Sequence, residues 1–204
     1  MFGGAVYSCV MRALACSLLL SICLVAQSHE APRLFPIPTG LGRTWPDAVL
    51  SDSEKSLLRE AVEPDLRDLE QYCEGKSRFG LIKTGIKLGA LGKGVVVSAR
   101  GSCTCGATGN CPIYVYVRQK DRYRQVLRGE PYSWAFAVLD SKTGVPGIVL
   151  AAHSSAFEQQ LTKYEYVADG FVPQACETLT AKGAAPPKSW WDPNEVLVQP
   201  CETH

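Results

Sequence analysis

Residues 113–128 read IYVYVRQKDRYRQVLR, and this stretch decides the fold class. Its first five residues are all Ile, Val or Tyr, a polar segment containing Lys120 and Asp121 follows, and a second run begins at Tyr123. Short runs of β-branched and aromatic residues separated by polar turn residues are typical of an antiparallel β-hairpin. The stretch therefore predicts two paired strands.

The same pattern extends from Phe79 to Cys176. Eight short runs rich in Val, Ile and Tyr are separated by Gly, Asp and Lys turns, which predicts antiparallel β-structure throughout. The predicted strands are 81–88, 94–99, 113–118, 123–128, 133–139, 146–152, 162–168 and 170–175.

The eight strands divide into two similar halves, residues 79–128 and 132–176. Landmark residues recur at an offset of about 50: Tyr114 with Tyr164, Tyr116 with Tyr166 and Gly94 with Gly147. A four-stranded meander is too small to bury a face alone. We therefore predict a mainly β fold of two related four-stranded antiparallel meanders packed together, with a short N-terminal helical segment and disulfide staples.

The helical segment spans residues 51–73. Ser51 and Glu54 have the spacing of a capping box, which predicts a helix over 52–62. Pro64 suits the first turn of a second helix that runs to residue 72. Three acidic residues are expected on the solvent face of that second helix: Asp65, Asp68 and Glu70.

Residues 1–28 have the layout of a signal peptide. The apolar run 13–26 is shorter than the roughly 20 residues that span a bilayer, and small residues precede a cleavage site at His29. Met11 is an alternative start, and a lipid anchor at Cys23 is an alternative form of processing. We expect export to the periplasm or the extracellular space, with no membrane span after cleavage.

Segments without regular periodicity flank the β-domain. Residues 29–50 contain four prolines and are predicted to form an extended arm. Residues 177–204 form a tail that contains Trp190 and Trp191, and we expect this tail to dock on its own domain. A free aromatic platform for a ligand is the alternative.

Cleavage leaves six cysteines, an even number that is typical of a disulfide framework in an exported chain. Cys105 and Cys111 enclose CGATGNC, whose glycines suit a tight loop, so we predict that they pair. A bridge between Cys103 and Cys105 would close a strained ring. The other two pairings stay open. Cys103 with Cys176 would join the two halves, and Cys73 with Cys201 would tether the tail. A zinc site or a redox centre at the three clustered cysteines is a weaker alternative because the spacing differs from CxxC.

The charges exclude a general nucleic-acid or membrane-surface binder. The leader has one charged residue, Arg12, so the remaining chain has 20 Lys plus Arg against 20 Asp plus Glu. One hairpin is locally positive and is a candidate surface for an acidic partner. Its basic residues are Arg118, Lys120, Arg122, Arg124 and Arg128.

A family resemblance is carried by CTCGATGNCPIYVYV at 103–117 and YEYVADGFVPQAC at 164–176. These stretches resemble a group of uncharacterised bacterial secreted proteins with a CGxxGNCP loop, a Tyr-rich strand and an aromatic-x-x-Asp-Gly turn. The resemblance covers roughly residues 79–176. It implies secretion and no particular activity, so it assigns no functional residue.

The sequence shows no convergent set of acid, base and nucleophile. His153 is the only histidine away from the ends, and the adjacent Ser154 and Ser155 rarely face such a base. We expect no catalytic residues, no metal and no cofactor. The favoured hypothesis is a binding or inhibitory module whose long loops, 101–112 and 153–161, present a surface to a protein or glycan of the cell envelope. A hydrolase of envelope polymers using His153 and carboxylates, and a structural envelope component, are the alternatives.

Overall fold

A computed structural model describes residues 33–35, 41, 46–74, 79–127, 132–139 and 144–201. All of these belong to one compact unit that begins at residue 32. The predicted leader with its cleavage and anchor sites lies outside the described residues, as do Arg128 and both terminal histidines, His29 and His204. The described elements, in chain order, are α1 (Asp52–Tyr72), β1 (Phe79–Lys87), a 3-10 turn (Gly89–Leu91), β2 (Lys93–Gly101), β3 (Cys111–Arg118), β4 (Tyr123–Leu127), β5 (Tyr132–Ser133), β6 (Ala135–Val138), β7 (Ile148–His153), β8 (Glu158–Val167), β9 (Gly170–Ala181) and β10 (Val196–Pro200).

The strands form two antiparallel meanders, as the sequence predicts. The main path through the sheet runs β1-β2-β3-β4-β9-β8-β7-β6, with β10 paired to β9 and β5 paired to β3. The meanders join where β4 and β9 run parallel, at Leu127 and Phe171. Because the fourth strand of each half meets its counterpart, one continuous sheet connects the two meanders.

The fold has three apolar layers. The inner faces of the two meanders pack together around Val115, Leu127, Ile148 and Leu150. The outer face of the first meander is covered by α1, whose buried residues lie at positions spaced by four and seven: Leu58, Val62 and Leu69. The outer face of the second meander is covered by the arm and the tail. Each meander therefore buries both of its faces over much of its area.

The helical segment is one helix, not the predicted two. The capping box at Ser51 and Glu54 forms as expected, but α1 continues through Pro64 to Tyr72. Proline removes one helical hydrogen bond, and the apolar contacts on both sides of it hold the helix against the sheet.

Asp65 faces the sheet, and the expectation that it lies on the solvent face is wrong. Its Oδ2 accepts hydrogen bonds from the Tyr116 hydroxyl and from Gln125 Nε2, the latter at 3.1 Å. Burial, together with the hydrogen bond to Asp65, raises the pKa of the Tyr116 hydroxyl, so this hydroxyl remains a donor. A carboxylate one turn from Leu69 thus fixes the helix on the sheet.

Gly94 and Gly147, which the sequence pairs, are both crowded but face different layers: Leu88 beside Gly94 belongs to the inner layer, and Leu139 beside Gly147 packs on the outer face of the second meander. A Cβ atom added to Gly94 would lie 2.9 Å from Leu88 Cδ1 and 3.1 Å from the Tyr116 carbonyl oxygen. A Cβ atom added to Gly147 would lie 3.0 Å from both Leu139 Cδ1 and the Tyr164 carbonyl oxygen. Both positions therefore require glycine for the same reason, a close approach of the neighbouring strand. The neighbouring tyrosines, Tyr116 and Tyr164, are not the pair that the sequence offset of 50 predicts.

The second half is more regular than predicted. The predicted loop 153–161 shrinks to residues 154–157, because β7 includes His153 and β8 begins at Glu158. β9 continues to Ala181, beyond the predicted end at 175, and β10 pairs with this extension. The tail therefore contributes a strand.

The structure joins Cys105 to Cys111, the pair that the sequence favours. The other two pairings differ from the expected ones: Cys73 joins Cys103, and Cys176 joins Cys201. The reason is topological. α1 ends beside the β2–β3 turn, and β10 pairs with β9 so that Cys201 N donates to the Cys176 carbonyl at 3.0 Å. The staples fasten the helix and the tail to the sheets, and none joins the two halves.

Candidate functional site

The two loops singled out in the sequence meet at one end of the domain. Asn110, in the loop closed by Cys105 and Cys111, bonds both main-chain groups of His153. Its Nδ2 donates to the His153 carbonyl at 2.7 Å, and its Oδ1 accepts from the His153 amide at 2.9 Å. The side-chain amide thus continues the hydrogen-bond ladder of β7 and connects the first meander to the second.

The His153 ring lies between two indoles. It stacks on Trp134 with ring centroids 5.1 Å apart and an interplanar angle of 10°. Trp190 of the tail approaches from 6.1 Å at 52°. Burial lowers the pKa of His153 below its ordinary value, because the charged form loses hydration there.

This arrangement does not make His153 a general base for a neighbouring nucleophile. Within the described chain its ring contacts are aromatic, and the adjacent serines serve the β7–β8 turn. The Ser154 and Ser155 amides both donate to the Glu158 carbonyl, and the Ser155 hydroxyl accepts from the Phe157 amide at 3.1 Å. The described residues thus place no hydroxyl and carboxylate with this imidazole as a triad requires.

A polar groove lies on the inner face of the second meander. It has a volume of about 380 Å³ and is built by three adjacent strands, β8, β9 and β10. The register places Gln160 opposite Thr178 and Thr178 opposite Gln199, so the three side chains form a row across the sheet. The complete lining is Glu158, Gln160, Thr178, Thr180, Gln199, Pro200 and Cys201.

The groove is rich in uncharged hydrogen-bonding groups. Its lining includes two amides and two hydroxyls, with one carboxylate, Glu158, and no cationic side chain. Gln160 Nε2 donates to the sulfurs of the Cys176–Cys201 disulfide, at 3.1 and 3.2 Å, which orients this amide. Such a surface offers both donors and acceptors to a neutral polar ligand.

Of the four described basic residues of the positive hairpin, Arg118 and Arg124 lie partly buried against the domain. Arg118 lies over the Tyr123 ring at 5.6 Å and donates to the Gln119 carbonyl. Arg124 donates to the Asp169 carbonyl and to the Tyr166 hydroxyl, both at 2.7 Å. Lys120 and Arg122 are the exposed pair among the described candidates. The hairpin thus presents less charge than its sequence suggests.

Trp190 and Trp191 are half-buried and pack against the core of the second meander. The tail that contains them also places Cys201 and Gln199 at the groove. These tryptophans therefore help to hold the tail on the domain.

The sequence analysis does not identify the groove residues of β9, because it predicts that this strand ends at residue 175. A signal was present: residues 176–180 alternate Cys, Thr and Thr on one face with Glu and Leu on the other. That period of two is the mark of a continuing strand. The contribution of β10 has no comparable local signal, because its register depends on the fold.

The described residues contain no cluster of three or more His, Cys, Asp or Glu that could hold a metal ion. Among the helices that the structure describes, none is long and apolar enough to cross a membrane. Comparison with family models, curated proteins and solved structures finds no match for this chain.

Proposed function

We propose that this chain is an exported binding domain that holds a neutral saccharide chain in the polar groove of the second meander. The lining of the groove carries the proposal, because the groove's volume of about 380 Å³ is similar to that of other surface hollows of this domain, about 350 Å³ each. Its hydroxyls and amides can each donate and accept, as the hydroxyls of a sugar require.

The charge of the groove favours a neutral ligand over an acidic one. Glu158 is its one charged group, and a carboxylate would repel phosphate or uronate groups. The same carboxylate can accept hydrogen bonds from sugar hydroxyls, and hydrogen bonds to a charged acceptor are stronger than neutral ones.

The rigid surroundings of the groove also favour binding. Cys201, which is fixed by its disulfide to Cys176, lines the groove, and the β7–β8 turn is held by Asn110 through His153. A site fixed before the ligand arrives avoids the cost of ordering on binding.

Export is part of the proposal. Three disulfides indicate an oxidising compartment, and the leader-like residues 1–28 and the resemblance to bacterial secreted proteins support export to the periplasm or beyond. In that setting the ligand would be a glycan of the cell envelope.

The experiment is a screen of the purified oxidised protein on a printed array of neutral, uronate-containing and phosphorylated oligosaccharides. We expect signal on a subset of neutral glycans, with the uronate and phosphate versions of the same backbones bound less. Equal or stronger binding to the acidic versions would contradict the proposal. The absence of any signal at protein concentrations near 100 μM would also contradict it. A contact too weak to be seen there has a dissociation constant near 1 mM or above, which corresponds to about 4 kcal/mol of binding free energy or less.

A further inference from the structure

A buried carboxylate, Glu177, lies on the face of β9 opposite the groove. Only 1% of its side chain is exposed. Its Oε2 accepts from Arg33 Nη2 at 2.8 Å, and its Oε1 accepts from the Leu34 amide at 2.5 Å. Both of these partners belong to the N-terminal arm, which adds no strand to the sheet at these residues.

The arm also inserts an aromatic side chain beside this carboxylate. Phe35 is 4% exposed and belongs to the apolar cluster on this face together with Leu161 and Leu179. Successive residues of a strand point to opposite faces, so Glu177 and Leu179 contact the arm while Thr178 and Thr180 line the groove. The two surfaces are therefore separate.

The arrangement has the features of a peptide bound to a receptor. A charge buried without a partner is strongly unfavourable, and the partners that the structure shows for Glu177 come from a segment far away in the chain. The three arm residues supply one guanidinium hydrogen bond, a main-chain amide and a buried ring, while the Leu34 side chain between them is exposed by 53%. Recognition thus rests on the first and third residues of Arg-Leu-Phe.

The fit of the arm is incomplete. Arg33 Nε is buried and has no hydrogen-bond partner among the described residues. An unmade hydrogen bond of a buried charged group weakens the contact, so a segment of similar chemistry could compete with the arm.

We propose that the surface formed by Glu177, Leu161 and Leu179 is a peptide-binding site, and that the arm is its resident ligand. The site takes a peptide in which an arginine precedes a phenylalanine by two positions. The resident arm competes with such a peptide at the high effective concentration of a linked segment.

The test uses the exported protein and a fluorescein-labelled peptide of residues 31–41, APRLFPIPTGL. Three proteins are compared by fluorescence anisotropy: wild type, the double variant Arg33→Ala/Phe35→Ala, and the matched control Leu34→Ala. We expect the peptide to bind the double variant at least tenfold more tightly than wild type or the control. Adding Glu177→Gln to the double variant should abolish this binding, and a peptide with glutamate in place of the arginine should not bind.

A second measurement covers the case in which the double variant does not fold. Excess unlabelled peptide should speed hydrogen exchange of the Leu34 amide in folded wild type, detected by mass spectrometry, because release of the arm breaks the bond from this amide to Glu177. Exchange elsewhere in the chain serves as the control. Unchanged exchange at this amide, or equal peptide binding by wild type and a folded double variant, would overturn the proposal. Neither result bears on saccharide binding in the groove.

Discussion

The Asn110 side chain pairs with both main-chain polar groups of His153, at 2.7 and 2.9 Å. Through this pair the CGATGNC loop of the first meander becomes part of the ladder of the second. The contact spans 43 residues of sequence, so the orientation of the loop depends on the packing of the two halves.

Replacing Asn110 by alanine should destabilise the domain. The substitution leaves the His153 amide and carbonyl without their partner. The loss costs about 1–3 kcal/mol for a fully buried group, and we expect about 1 kcal/mol here because the pair is part-buried. Urea unfolding measures the change. Thr108→Ala, an exposed position in the same loop, should stay within about 0.5 kcal/mol of wild type. Equal effects of the two variants would show that the Asn110 contact does not stabilise the fold.

Glycine should be required at both Gly94 and Gly147, the two crowded positions beside a neighbouring strand. Gly94→Ala places a Cβ atom 2.9 Å from the buried Leu88, and Gly147→Ala places one 3.0 Å from the half-buried Leu139. Both added atoms also lie close to a carbonyl oxygen, and overpacking of this kind costs about 1–3 kcal/mol. Gly80→Ala is the matched control, because Gly80 also lies in a strand, β1, and no atom lies within 4 Å of the Cβ that the substitution adds. Thermal melts of the three variants compare them directly. A tolerated alanine at either 94 or 147 would argue against this crowding.

The two disulfides attached to the first meander should contribute differently to the free energy of unfolding. The Cys73–Cys103 bridge closes a loop with a sequence separation of 30, and the Cys105–Cys111 bridge one with a separation of 6. Loop-closure entropy then gives about 3.7 and about 2.3 kcal/mol, respectively. The double serine variants, unfolded in guanidinium chloride, should show the larger loss for Cys73 and Cys103. The reverse order would mean that strain or residual structure dominates.

Stability should fall in mild acid because of His153. Burial lowers its pKa in the folded state, so the unfolded chain binds the proton more readily than the folded one. The neutral ring therefore contributes to the free energy of unfolding. This contribution is complete above the pKa of His153 in the unfolded chain, about 6.5, and is lost as the pH falls through its lower pKa in the folded state. His153→Phe keeps an aromatic ring between Trp134 and Trp190 without a titrating group. The melting temperature should therefore fall more between pH 7.5 and pH 5 for wild type than for the variant. An equal fall in both proteins would contradict the assignment to His153.

Much of the fold could be predicted because it is written in local patterns. Eight runs of strand-forming residues indicate two meanders, and the capping box marks the helix start. The pairing of Tyr114 with Tyr164 is not such a success, because Tyr114 packs in the layer under α1 and Tyr164 packs on the inner layer. The disulfide pairings other than Cys105 with Cys111 could not be predicted in this way. They depend on which strand end lies beside Cys73 and Cys201, which is a property of the packed chain.

The candidate sites were harder to predict for the same reason. Thr178 and Gln199 meet because β10 pairs with β9, and Glu177 meets Arg33 across 144 positions of sequence. No composition or spacing near either residue specifies its partner. The positive hairpin shows the opposite error: its charges are plain in the sequence, yet Arg124 bonds to Asp169 and Tyr166 of the other meander.

Saccharide binding in the groove is the central claim, and isothermal titration with the strongest neutral glycan from the array tests it most directly. The decisive variant is Thr178→Val/Thr180→Val, which removes two groove hydroxyls and keeps strand-forming side chains of the same shape. Thr162→Val, on the neighbouring strand but outside the groove lining, is the matched control. At about 1 kcal/mol for each neutral hydrogen bond, the double variant should bind roughly 10- to 30-fold more weakly, while the control binds like wild type. Unchanged affinity of a folded double variant would contradict the account.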